Sequence, residues 1–296
     1  MLDLSMFKSI ELADKKEITQ YLQCFNTELC DYNFFNLYCW GKVFDVRWQR
    51  YKDNLIFYNS KIDYILMPCK AADIKFLLEI SDTFLAANKS GNFILADADF
   101  VDDNNQILSQ YFELMLDEEY TDYVYFTEKL VSLKGKKLHK KKNLISQFLR
   151  TYPNYSIKKL TSDYYSACFE LAERWCLNKD CEKSGFSHEK SALANAFNAA
   201  DILNFDGLLI FIDDNIVAFS IFSEQTPEMA TVHFEKFDTT IKGSGQIINF
   251  ETAKYLVDKY KYLNREQDMG LEGLRQAKRS YDPDRLLITY RLLRKK

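Results

Sequence analysis

The chain has 296 residues, of which 47% are apolar and 15% aromatic, with only 9 Gly and 4 Pro, which excludes a linker or a disordered tail and leaves room for one or two packed domains. No stretch approaches the roughly 20 apolar residues that a membrane-crossing helix needs, and the start MLDLSMFKSIELADKK has neither the basic nor the apolar region of an export signal, so a cytoplasmic protein is expected. A net charge of -4, seven cysteines without a C-x-x-C spacing and three histidines (His139, His188 and His233) argue against a disulfide framework and against a zinc or His-rich centre, so no metal is expected.

The first half reads as two helices followed by strands at 43–51, 54–59 and 63–68, rich in aromatic and β-branched residues. Helical apolar spacing over 71–88, a strand at 92–97, a helix over 102–117 and a strand at 122–127 follow. A basic helix over 134–152, with Leu138, Leu144, Ile145, Phe148 and Leu149 on its apolar face, ends before Pro153. The order then repeats. A strand at 154–160 precedes helices over 161–178 and 188–200 and strands at 206–212, 215–223 and 229–238. A helix over 245–260, a strand at 261–266, a helix over 270–281 and a strand at 285–293 complete the chain. Helices, a strand meander and a strand-helix-strand-helix-strand run thus occur twice, an α+β pattern that divides the chain into domains at 1–133 and 134–296.

Charge is segregated. Residues 90–128 hold ten Asp or Glu and no Lys or Arg, whereas residues 129–162 hold ten Lys or Arg and no acid. The acidic block reads as a solvated face. The basic one is denser and includes Lys134, Lys136, Lys137, Lys140, Lys141, Lys142 and Arg150. It suits a phosphate-bearing partner such as tRNA or an anionic lipid head group.

Two segments carry candidate chemistry. In the first, TVHFEKFD (231–238) runs into TTIKGSGQIINFETAKYL, a strand, a glycine-containing loop and a helix. Amide groups at such a helix start can hold a phosphate, with Lys242 adding charge beside Gly243, Ser244, Gly245 and Gln246. A tight strand-to-helix turn needs glycine for purely steric reasons about as often. The loop resembles the donor-binding loop of GNAT acyltransferases, whose pattern is Gln or Arg, two residues, Gly, one residue, Gly or Ala. Thr240, Gly243 and Gly245 stand at those positions, and Thr240 departs from the pattern. The second segment is YLNREQDMGLEGLRQAKRSYDPDRLLITYRL (262–292), dense in Asn264, Glu266, Asp268, Arg275 and Lys278. Arg275 and Lys278 equally suit a solvated helix stripe with Glu272.

The run from Asn264 to Pro283, followed by Tyr290, resembles the C-terminal signature of a bacterial family of unknown function related to the C-terminal domain of phosphatidylglycerol lysyltransferase. Lys278, Tyr281, Pro283 and Tyr290 match the Lys, aromatic, Pro and downstream Tyr of the lysyltransferases. CDYNFFNLYCW (30–40) resembles the family's N-terminal entry and VSLKGKKLHKKKNLISQFL (131–149) its basic connecting helix, so the likeness spans nearly the whole chain. The resemblance implies two tandem GNAT-type domains with mixed sheets flanked by helices, similar to the Fem-type peptidyltransferases, and a C-terminal strand exchanged between the halves.

It also implies acyl or aminoacyl transfer to an amine or hydroxyl acceptor, from aminoacyl-tRNA or from an acyl-CoA co-substrate, with no tightly bound cofactor. Such transfer needs a base, oxyanion donors and an acid. Glu266 and Asp268 are candidates for the base or for orienting the acceptor, and amides along 231–238 for the oxyanion. Lys278 stands where many GNAT enzymes place a tyrosine; as a group titrating at about 10.4 it suits an anion better than a proton donor. Lys136, Lys137, Lys140 and Lys141 are candidates for tRNA or lipid contact. The face to which Glu235 points is left open by the Val-His-Phe alternation. Two other readings stand beside this one: an acyl-CoA-dependent N-acetyltransferase, and a non-catalytic module binding tRNA or a peripheral anionic lipid surface.

Overall fold

The computed structural model describes residues 2–69, 73–177 and 186–295, in two compact units that comprise residues 1–122 with 287–296 and residues 123–286. The elements run β1 (Lys8–Ser9), α1 (Lys15–Gln23), α2 (Phe34–Phe44), β2 (Val46–Tyr51), β3 (Asn54–Asn59), β4 (Tyr64–Leu66), α3 (Ile74–Ala86), β5 (Asn92–Asp97), α4 (Ala98–Tyr111) and β6 (Phe112–Leu116). They continue with β7 (Asp122–Phe126), α5 (Thr127–Ser132), α6 (His139–Thr151), β8 (Ser156–Lys159), α7 (Tyr165–Leu177), α8 (Phe186–Asn198) and α9 (Ala200–Leu203). The last are β9 (Asp206–Ile212), β10 (Asn215–Thr226), β11 (Met229–Phe237), α10 (Ser244–Leu256), β12 (Tyr262–Asn264), α11 (Glu272–Arg279), β13 (Arg285–Leu287) and β14 (Thr289–Arg294).

Short polar side chains start the helices of the first unit. Asn33 caps α2 by accepting from the Phe35 amide, Asp73 caps α3 at Lys75, and Asp97 caps α4 at Asp99 and Phe100. Asp45, with φ 51°, ends α2 in the left-handed region, which lets β2 begin one residue later. Both sheets have seven strands and one order: β1-β2-β3-β4-β5-β14-β6 in the first unit and β8-β9-β10-β11-β12-β7-β13 in the second. In each, one parallel pair (β4 with β5, β11 with β12) is joined through a helix, and the other assigned neighbours run antiparallel. The strand next to β5 is β14, from the end of the chain, and the strand next to β12 is β7, which follows β6. Each sheet therefore takes its sixth strand from the other half of the sequence.

This α+β architecture, with two mixed sheets flanked by helices and an exchanged terminal strand, is the one read from the sequence. Its boundaries differ in places. The compact units divide between residues 122 and 123, not 133 and 134, because β7 and α5 pack with the second unit and β14 returns to the first. The segment 102–117, expected to be one helix, is helical only to Tyr111; Phe112–Leu116 is β6, fixed by its ladder with β14. The strand expected at 285–293 divides at Ile288 into β13 and β14, which belong to different sheets. Residues 43 and 44 close α2 and are not part of a strand. Of the helices expected over 71–88 and 161–178, residues 71, 72 and 178 lie outside the described residues.

The first core gathers Ile56, Ile65, Leu77, Phe84, Phe93, Leu108 and Phe112 with Leu292 of β14. The second gathers Tyr123, Tyr125, Leu138, Phe148, Val232, Ile247 and Leu263. The edge strand β8, with Lys158 and Lys159, is exposed along its whole length, and its charges blunt that edge. Near the inserted β14, Arg291 grips Asp117 with two hydrogen bonds of 2.6 and 2.9 Å, and Asp117 is 2% exposed. Removing the guanidinium strands a buried carboxylate. Arg291→Met is expected to cost about 3 kcal/mol, and Arg291→Lys to restore only part of that because an ammonium cannot replace the two-pronged contact. Urea denaturation of the three proteins measures both.

Candidate active site

The parallel pair of the second sheet is short. Only Met229, Ala230 and Thr231 of β11 pair with Tyr262, Leu263 and Asn264 of β12, and the chains part beyond them. Where they part, β11 carries a bulge. Phe222 of β10 faces Val232 while the preceding Ile221 faces Phe234, so His233 is the extra residue. A bulge re-aims the side chain it carries. Here the His233 ring, fully enclosed, lies between two partners: Nδ1 is 3.0 Å from Oε1 of Glu266, and Nε2 is 2.8 Å from Oγ of Ser223 on β10. With Nδ1–H donated to the carboxylate, Nε2 is left to accept from the serine hydroxyl. Ser223 is partly exposed.

Glu266 reaches this position because the chain turns sharply after β12. Its φ is 56°, in the left-handed region, and its amide donates to Oδ1 of the buried Asn264 at 2.7 Å. The turn is held from behind by Lys278 of α11. The ammonium of this 7% exposed residue donates to the carbonyls of Arg265, Glu266 and Gln267 at 2.6, 3.0 and 2.5 Å. Asp268 fixes the end of the same loop. It accepts from the Tyr123 hydroxyl at 2.6 Å, the Gly270 amide at 2.9 Å and the Arg275 guanidinium at 2.9 and 3.1 Å. Burial alone would raise its carboxyl, but the bonds from Arg275, Tyr123 and Gly270 outweigh it and hold Asp268 below the usual range.

Arg265 fills the space beside β11. Its guanidinium pairs with Glu235 at 2.7 Å, lies 5.0 Å from the Tyr281 ring centre and 5.8 Å from that of Tyr125, and donates to the Asn249 side-chain oxygen at 3.0 and 3.2 Å. Glu235 thus faces Arg265 and α10. Lys141 of α6 completes the stack at 4.4 Å from the other ring partner, Tyr281. Burial lowers the Lys141 ammonium and the charge of Arg265 lowers it further. Burial pushes the Tyr281 phenol up, with Arg265 acting against it, so it stays protonated at neutral pH.

The structure thus places Glu266 and Asp268 in one loop, brings Lys278 of α11 against it and sets Lys141 over Tyr281. The other basic candidates divide: Lys137 pairs with Asp282 at 2.7 Å, whereas Lys136 and Lys140 are exposed with Lys134, Lys142 and Arg150. In the glycine loop, Lys242 is exposed and Ser244 is buried, its hydroxyl donating to the Asp238 carbonyl. Gln246, at the first turn of α10, acts on the Tyr281 phenol through a hydrogen bond. Both glycines have packing reasons. Gly243 has φ 91° and a Cβ there would sit 2.9 Å from the Leu144 carbonyl; one at Gly245 would sit 2.8 Å from the Phe237 ring. Thr240 bonds Asp238 through its amide and hydroxyl. Beside Glu235, whose face the sequence leaves open, the centre of the site holds His233, Ser223 and Arg265, which the sequence does not single out, because a lone His in an alternating strand gives no sign of a bulge.

Three outcomes follow from these contacts. Lys278→Met is expected to lower stability by about 3 kcal/mol, since the carbonyls of Arg265 and Gln267 lose the ammonium and that of Glu266 keeps only the Tyr123 amide, as read by chemical denaturation. Because Asp268 is depressed, its contribution is present above its unfolded value near pH 3.9 and is lost as pH falls through the lower folded value. The second unit should therefore weaken in acid, and Asp268→Asn should flatten that limb of a stability-against-pH curve. Gly245→Ala should destabilise the fold in the absence of any ligand.

The sequence model of the family described as "Phosphatidylglycerol lysyltransferase, C-terminal" matches residues 23–292. A solved structure of a conserved protein of unknown function from Bacteroides thetaiotaomicron is 33% identical, covers 98% of this chain and 99% of that one, and superposes with a TM-score of 0.90. The structure of L-PGS from Bacillus licheniformis is 14% identical over 96% of this chain and 92% of that one, with a TM-score of 0.63, a likeness of fold. An uncharacterized protein of Mycoplasmoides gallisepticum is 26% identical over 188 residues, 62% of this chain, and the match spans 59% of that curated relative's length. Among the described residues no helix is long and apolar enough to cross a membrane.

Proposed function

The chain belongs to the phosphatidylglycerol lysyltransferase C-terminal family, and we propose that it is an acyltransferase that moves an aminoacyl group from tRNA to a hydroxyl or amine acceptor at the bulge of β11. The observation that carries this reading is the buried line of carboxylate, imidazole and hydroxyl, Glu266–His233–Ser223, set where two parallel strands part. Acyl transfer needs a group that takes a proton from the nucleophile and returns it to the leaving group, and an imidazole held by a carboxylate does both. Past Thr231, β11 runs on to Phe237 beyond its ladder with β12, and its amides there are the candidates for an oxyanion. Asp268 and Lys278 support Glu266 by fixing the loop that carries it.

The basic surface favours tRNA as the donor. Lys134, Lys136, Lys140, Lys142 and Arg150 are exposed around α6, whose Lys141 reaches the site at Tyr281. An acceptor with an anionic head group, or a small amine, suits the same charge. The acyl-CoA reading draws on the exposed Lys242 at the start of α10. Against it, packing accounts for Gly243 and Gly245, and Arg265 fills the α10 side of β11.

The experiment is equilibrium binding and transfer with charged tRNA at several salt concentrations, with coenzyme A and acetyl-CoA as competing ligands. Lys136→Gln, Lys140→Gln and Lys142→Gln combined should weaken tRNA binding roughly tenfold or more and reduce the salt slope by about 2–3. Glu266→Gln should leave binding intact and lower transfer by roughly 10- to 1000-fold. Binding of coenzyme A with no effect of the lysine changes would replace this reading by the acyl-CoA one; tRNA binding with no transfer would leave a binding module.

A further inference from the structure

In this structure the His233 ring has no exposed surface, and Nε2 is covered by Oγ of Ser223. A substrate therefore first meets this line at Ser223, which is partly exposed, and reaches Nε2 only once Oγ has moved onto the carbonyl carbon. The three groups are ordered as in a serine nucleophile activated by a base: hydroxyl to Nε2 at 2.8 Å, Nδ1 to carboxylate at 3.0 Å, with the carboxylate loop locked by Lys278. Only the hydroxyl end of this line is both nucleophilic and able to lose its proton to the ring.

We infer that Ser223 is a covalent acyl carrier, so that transfer in this protein proceeds in two steps through an acyl-serine. The inference rests on the transferase reading above and adds its route. In the first step Oγ of Ser223 attacks the carbonyl carbon of the activated ester, its proton passes to Nε2 of His233, and the ester C–O bond breaks as the leaving ribose oxygen takes that proton. In the second, the acceptor's oxygen or nitrogen attacks the acyl-serine carbonyl, gives its proton to Nε2, and the proton returns to Oγ as the serine ester breaks. The Glu266 carboxylate, against Nδ1, stabilises the imidazolium formed in each half. No oxidant, metal or further co-reactant enters the balance.

The bulge explains why this serine rather than another is chosen. Thr231, directly across from Ser223, bonds the Gln225 side chain at 3.0 Å, and Ser220 bonds Thr252 at 2.6 Å; neither reaches a histidine. His233, two residues beyond Thr231 and the extra residue of the bulge, reaches Ser223 on the face that Ser223 and Thr231 share.

The test treats the full chain with p-nitrophenyl acetate, quenches in acid and maps the adduct by mass spectrometry of peptides. A single acetyl group on Ser223 is expected, absent in Ser223→Ala and at least about tenfold slower to form in His233→Gln and Glu266→Gln. Ser223→Cys, the conservative replacement, should keep the adduct as a hydroxylamine-labile thioester, which separates loss of the nucleophile from loss of the fold. Acetylation confined to lysines or cysteines overturns the inference. So does a Ser223→Ala protein that transfers the aminoacyl group at the wild-type rate, an outcome that leaves the transferase reading standing with direct attack by the acceptor. A wild type that acetylates Ser223 but transfers nothing from tRNA supports the nucleophile and removes the tRNA donor.

Discussion

Three backbone carbonyls pointing at one ammonium decide the shape of the second unit's site. After Asn264 the chain must leave the sheet, and the turn it makes aims the oxygens of Arg265, Glu266 and Gln267 inward, where the Tyr123 amide reaches only that of Glu266, at 3.4 Å. Lys278 of α11 donates to all three. Without it the carbonyls of Arg265 and Gln267 would lose this donor, each at about 1–3 kcal/mol. The helix that delivers it is otherwise exposed: among the residues of α11 only Lys278 is buried. The helix thus presents two cations to the loop, Lys278 to its carbonyls and Arg275 to Asp268, and Tyr125 anchors its end by donating to the Lys278 carbonyl at 2.9 Å.

The second constraint is the one-residue surplus in β11. Before the bulge Ala230 and Val232 join the core under α10; after it Lys236 lies over the Trp175 ring of α7 while Glu235 and Phe237 turn to α10. One inserted residue thus swaps the two faces of the strand. This swap allows a charged pair, Glu235 with Arg265, to sit next to a core that is apolar two residues earlier. The first unit has the same strand order, yet its parallel pair stops at Leu66 and Ile94, and β4 has only three residues where β11 has nine. The first unit has an irregularity of its own, where β14 passes from Ala96 to Phe93 of β5, but its β4 is too short to run on beyond the parallel pair as β11 does.

Elements set by local pattern were legible in the sequence. The alternation in 206–212 and 215–223, the helical spacing after Gly243 and the order of strands and helices all reappear, and so does the position of the loop carrying Glu266. Elements set by distant partners were not. Phe112–Leu116 has no helix-breaking residue before it and becomes a strand only because β14, far along the chain, lies beside it. The break at Ile288 is likewise invisible in RLLITYRLL, since both halves have strand character and only the sheets they join differ. For the site, the sequence shows residue types but not which of them meet: Lys278 and Asp268 meet at the loop that carries Glu266, whereas His233 reads as one residue of an alternating strand.

The glycine loop shows why a motif and its packing have to be weighed together. A Gly-x-Gly run at a helix start is consistent with an anion held by amides, and equally with two close approaches. Here each glycine has a named neighbour that excludes a Cβ, and the amides of Ser244, Gln246 and Ile247 donate to Ile241 and Gly243 carbonyls within the turn itself. The turn is thereby closed on its own residues. Positive charge near it comes instead from side chains, Lys141 half-buried over Tyr281 and the exposed lysines of the α6 segment, which are spread over a longer track than one pyrophosphate spans. A track of separated cations matches a polyanion whose charges repeat along a backbone, and this is the physical ground for preferring a nucleic-acid donor over a nucleotide one.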